Sequence, residues 1–88
     1  MYKVVKKELT GKRPRWLVIL LMCIRPSLIG NAQSLEQCCL VLRYIRFCAY
    51  SLFHTRKTDK VYVIEGENTL TLCNNRRKKC VTFEIYKV

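Results

Sequence analysis

Enzymatic equipment is scarce in this chain. It has one histidine, His54, and six acidic residues. It contains no Gly-rich phosphate loop, no HExxH and no GxSxG, and its only close carboxylate pair, Glu65 and Glu67, flanks a glycine in a turn sequence. Acid–base, zinc-hydrolase and serine-nucleophile chemistry therefore lack their usual residues, so no enzyme and no cofactor are expected. The longest unbroken apolar run is residues 16–24, WLVILLMCI. Nine residues fall well short of the roughly 20 that a membrane-spanning helix needs. Internal repeats and low-complexity tracts are also absent.

Cysteine and positive charge are abundant instead. Six cysteines in 88 residues suit a small chain whose core alone gives little stability, and that density points to an oxidising compartment. Seventeen Lys and Arg against six acids give a formal charge of +11, which favours polyanionic partners. Seven basic residues and one acid precede Gln33; ten basic residues and five acids lie from Gln33 onward.

Residues 1–15 are polar and basic, the apolar run follows, and Gly30 and Ala32 supply small residues at the −3 and −1 positions of a cleavage site. Pro26 breaks the helix between run and cleavage site. The expectation is a cleavable signal peptide over residues 1–32, then a small cysteine-rich domain over residues 33–88, secreted to the extracellular space. The other reading makes residues 1–9 a strand and residues 16–24 a core element of an unprocessed protein.

Leu35, Cys38, Leu42, Ile45, Ala49 and Leu52 recur at helical spacing, although Val41, Arg43 and Ile45 nearly alternate as a strand would. Residues 61–64 (VYVI) and 69–73 (TLTLC) read as a hairpin around the turn Glu65-Gly66-Glu67-Asn68, and residues 80–88 (CVTFEIYKV) alternate again. The predicted fold class is α+β, a small disulfide-stapled domain with a three-stranded antiparallel sheet after the signal peptide.

Cleavage would remove Cys23 and leave Cys38, Cys39, Cys48, Cys73 and Cys80. Five is odd, so at most two bridges form within the chain. Adjacent Cys38 and Cys39 are expected to reach different partners in the later sheet. Cys73 and Cys80 enclose six residues, wider than a usual zinc knuckle, and no metal is expected. The run Arg76, Arg77, Lys78, Lys79 is the densest positive feature. Arg56, Lys57 and Lys60 could extend it into one polyanion-binding patch.

The stretch GNAQSLEQCCLVLRY, followed by VYVI, a turn and TLTLC, resembles a CC-type chemokine. The resemblance spans residues 33–81. It implies a secreted signalling ligand whose partners are a seven-helix cell-surface receptor and a sulfated glycosaminoglycan, with a homodimer as a possible assembly. It implies a Cys39–Cys73 bridge, with Cys38 paired to Cys48 or Cys80. It further implies that Gln33, Ser34, Leu35, Glu36 and Gln37 form an activating tail. Leu40, Val41, Leu42, Arg43, Tyr44, Ile45, Arg46 and Phe47 would be the receptor-docking loop. Two alternatives need no secretion. One is an intracellular nucleic-acid binder with Arg13, Arg15 and the run 76–79 on phosphate and Tyr44, Tyr50 or Phe53 stacked on bases. The other is a membrane-associated protein with residues 16–24 in the interface.

Overall fold

The computed structural model describes residues 1–9, 11–53, 61–74 and 79–88. In order these form β1 (Tyr2–Glu8), α1 (Arg15–Cys23), a 3-10 turn (Pro26–Leu28), α2 (Leu35–Phe53), β2 (Val61–Glu65), β3 (Thr69–Asn74) and β4 (Cys80–Lys87). The strands make one antiparallel sheet in the order β1-β4-β3-β2, with helices on one face.

The sheet has four strands where the sequence predicts three. The addition is β1, which pairs with β4 from Tyr2 opposite Lys87 to Glu8 opposite Val81. Strand alternation sends Val4, Leu70, Leu72, Val81 and Phe83 to the helical side, and all five are buried. On the other face the Thr71 and Thr82 hydroxyls pair across β3 and β4 at 3.2 Å. In the β2–β3 turn the Gly66 amide donates to the Thr69 carbonyl (3.0 Å), and a Cβ at position 66 would collide with the Thr69 hydroxyl. That contact is why the turn carries glycine.

The apolar run becomes α1. Pro14 holds an extended backbone, and its carbonyl accepts from the amides of Leu17 (3.1 Å) and Val18 (3.3 Å). The helix ends before Pro26, whose ring disfavours helical backbone at Arg25. Trp16, Leu17, Leu20 and Ile24 are buried, while Val18 and Met22 face outward. Residues 1–32 thus lie inside this fold as a strand and a core helix.

α2 is the central packing element. Ser34 Oγ accepts from the Gln37 amide (3.2 Å) and Gln37 Oε1 accepts from the Ser34 amide (3.4 Å), a reciprocal cap. Glu36 in the first turn complements the helix dipole. Cys38, Val41, Ile45, Cys48, Ala49 and Phe53 face the sheet and are buried. Phe53 meets the Trp16 ring edge-to-face, with centroids 6.3 Å apart, closing the core between α1 and α2.

The cysteine pattern is corrected by this arrangement. Cys73 and Cys80 stand opposite each other on β3 and β4, Cα atoms 4.2 Å apart, and form the disulfide. Cys38, Cys39 and Cys48, expected in bridges, are free thiols in α2, and Cys23 is free at the end of α1. The reason is the sheet's two-residue period. Leu72 points to the helical side, so Cys73 points to the opposite face and cannot reach Cys39.

Candidate polyanion-binding end

The register of β1 on β4 decides what gathers at one end of the sheet. Glu8 lies opposite Val81, so the connection leaving β1 runs beside the residues entering β4. That brings Lys12 and Arg13 next to Lys79, which is 67 residues from Lys12 along the chain. The Lys79 ammonium donates to the Lys12 carbonyl at 2.6 Å. Gly11 makes room for it, with φ +118° and an added Cβ only 3.3 Å from the Lys79 nitrogen.

Glu8 organises the cluster. Its carboxylate receives Arg13 through Nε and Nη2, both at 3.0 Å, and Lys6 lies 3.5 Å away. Arg13 is thereby fixed, and the one acid is shared between two cations. Lys12 and Arg15 remain exposed. Glu8, Arg13, Trp16 and Lys79 line a small cleft of about 10 Å3, enough for one water-sized group. The buried Trp16 indole N–H has no hydrogen-bond partner, and Glu8 Oε1, though ion-paired with Arg13, has no donor aligned on it. The cleft therefore offers one donor, the Trp16 N–H, and one acceptor, the Glu8 carboxylate, beside Lys12, Arg13 and Lys79.

Of the expected polyanion-binding residues, Lys79 is placed here. Arg76, Arg77 and Lys78, which precede it directly in sequence, lie outside the described residues, as do Arg56, Lys57 and Lys60. Sequence reasoning assigned Lys12 to a leader, although the run Lys12-Arg13-Pro14-Arg15 was itself a visible signal.

The segment expected as tail and docking loop is ordered differently. Gln33 exchanges backbone hydrogen bonds with Tyr2 (2.7 and 2.8 Å). Ser34 caps α2, and Leu35, Glu36, Gln37, Leu40, Val41, Leu42, Arg43, Tyr44, Ile45, Arg46 and Phe47 are helical. The tail and docking loop that the chemokine resemblance implies are, in this structure, a capped helix. The physical reason is the Ser34–Gln37 cap followed by apolar residues at helical spacing. Val41 and Ile45 are spent on the core, and Arg46 pairs with Glu65 at 3.0 Å. The Tyr44 hydroxyl donates to the Cys23 carbonyl at 3.2 Å. Its phenol is held above the usual range, chiefly by a hydrogen bond with the Cys48 side chain, against a smaller opposing effect of Arg25. Burial, aided by neighbouring Cys39, pushes the Cys38 thiol up, which disfavours the reactive thiolate.

Among the described residues no group of three or more His, Cys, Asp or Glu could hold a metal ion, and no helix is long and apolar enough to cross a membrane. Comparison with protein-family models, with curated proteins and with solved structures finds no match.

Proposed function

We propose that this protein binds sulfated glycosaminoglycan outside the cell through the end of the sheet where β1 and β4 meet. The observation that carries this is the 2.6 Å hydrogen bond from Lys79 to the Lys12 carbonyl. It brings Lys79, the last residue of the second basic run, to the first basic run, 67 residues away in sequence. Close like charges repel, so a fold that sets Lys79 beside Lys12 and Arg13 gains from an anionic ligand that neutralises them. The Cys73–Cys80 disulfide at the root of the second run favours an oxidising compartment, where sulfated glycans are the abundant polyanions.

Nucleic acid is supported less well. Of the three aromatics that reading offers for stacking, Phe53 is buried against Trp16, which leaves Tyr44 and Tyr50. The receptor-ligand reading asks for a flexible tail before Cys38-Cys39, whereas Gln33 pairs with Tyr2 and α2 begins at Leu35. Neither is carried further.

The test is heparin affinity chromatography of the wild type and the triple variant Lys12→Ala, Arg15→Ala, Lys79→Ala. The wild type should elute at high salt and the variant at distinctly lower salt, with unchanged circular dichroism. Equal elution positions would refute the reading. Neutralising Arg76, Arg77 and Lys78 as well should lower retention further.

A further inference from the structure

α2 is apolar on two opposite sides. One side packs on the sheet. On the other, Leu40 is 60% exposed and Phe47 is 66% exposed, two turns apart on one line. Tyr44 and Tyr50 flank that line, and the end of α1, tied to Tyr44 through the Cys23 carbonyl, places exposed Met22 nearby. A surface helix normally carries charged and polar residues along its outer midline. Here the outer face carries one cation, Arg43, and one acid, Glu36, which lies one turn before Leu40 on the same line. Among the described residues Arg25 and Arg43 have no carboxylate partner, whereas Arg46 is held by Glu65.

We propose that this face of α2 docks on an anionic bilayer surface. Phe47, Leu40 and Met22 enter the boundary between headgroups and acyl chains, the two tyrosines sit at headgroup level, and Arg25 and Arg43 meet lipid phosphate. The pattern of apolar tips, interfacial aromatics and flanking cations is the one that interface-lying helices use. Charge selects this occupant over a second copy of the chain. Each copy carries +11. An antiparallel pairing of two α2 helices that set Leu40 against Phe47 would also bring the two Arg43 side chains together near the axis. A membrane surface of opposite sign meets the same apolar line where Arg25 and Arg43 outnumber the one acid, Glu36.

The experiment is co-sedimentation with vesicles of phosphatidylserine in phosphatidylcholine, and of phosphatidylcholine alone. The wild type should partition onto the anionic vesicles much more strongly than onto the neutral ones. The double variant Leu40→Ala, Phe47→Ala should lose about tenfold or more of that partitioning. Arg43→Gln should lose about fivefold, on anionic vesicles only. The replaced side chains are exposed, and circular dichroism checks that each variant keeps its fold. The variant lacking Lys12, Arg15 and Lys79 should still respond to loss of Leu40 and Phe47, which separates this face from the glycan-binding end. Absence of wild-type sedimentation, or sedimentation indifferent to Leu40 and Phe47, would overturn the proposal and leave the heparin result standing. A lipid-free dimer in analytical ultracentrifugation that Leu40→Ala, Phe47→Ala dissolves would overturn it in favour of self-association.

Discussion

Deleting residues 1–32 should abolish the fold. The deletion removes β1 and α1, and with them Val4, Trp16, Leu17, Leu20 and Ile24. These are five of the sixteen buried apolar residues among the described residues, and each of the five is at most 5% exposed. At roughly 1.5–3 kcal/mol for each buried side chain, the loss is about 7–15 kcal/mol, an upper estimate because unfolded chains already bury some apolar surface. A domain of this length has a net stability of only about 4–13 kcal/mol, so little is left to offset the exposure of the core that faced the missing strand and helix. It also strips β4 of its partner over seven residue pairs and leaves a bare sheet edge next to exposed core. The assay is thermal and urea unfolding of residues 33–88 beside the full chain, with amide exchange read across β4. The full chain should melt cooperatively. The fragment should show no cooperative transition and no protected β4 amides. A fragment that melts cooperatively with β4 amides protected would refute the assignment of residues 1–32 to the core.

Four further outcomes are expected. Leu20→Ala, at a fully buried position between sheet and helices, should cost about 2–5 kcal/mol in urea unfolding; a loss below about 1 kcal/mol would contradict its placement. Replacing Cys73 and Cys80 together by Ser should cost about 2–3 kcal/mol through the short loop they close, whereas Cys39→Ser should cost under about 1 kcal/mol; the reverse ranking would show that another pairing holds the protein. The Glu84 carboxyl is held below its usual range first by a hydrogen bond with Tyr86 and then by Lys7, 3.3 Å away, so Tyr86→Phe should raise its NMR titration midpoint; an unmoved midpoint would remove that hydrogen bond. The same lowered carboxyl contributes stability above the ordinary carboxylate range that is lost as pH falls through its folded value, while Lys7, raised by Tyr86 and Glu84, contributes below the ordinary lysine range and loses that contribution as pH rises through its folded value.

Much of the second half was legible along the chain. β2, β3 and β4 fall on the three alternating segments, and the Gly66 turn falls between the first two. Alternation is a local signal, written in neighbouring residues. The extent of α2 was also readable, since its apolar spacing runs from Leu35 to Phe53. Ser34 and Gln37, three residues apart, spelled the reciprocal cap that decides helix over strand there. The apolar run 16–24 was ambiguous for a physical reason. Nine apolar residues after a basic stretch suit a secretory leader and a short core helix equally, and only a surface for Trp16, Leu17 and Leu20 to pack on separates the two.

By itself the sequence determined the charge, the α+β class and three strands, and left residues 35–53 open between helix and strand, because composition and periodicity act over a few residues. Tertiary structure decided that Tyr2–Glu8 joins Cys80–Lys87, that Cys73 takes Cys80 rather than Cys39, and that Lys12 meets Lys79. Each of those outcomes depends on which strand lies beside which and which face a side chain takes. Strand order and register are properties of the packed sheet, and no window along the chain contains them.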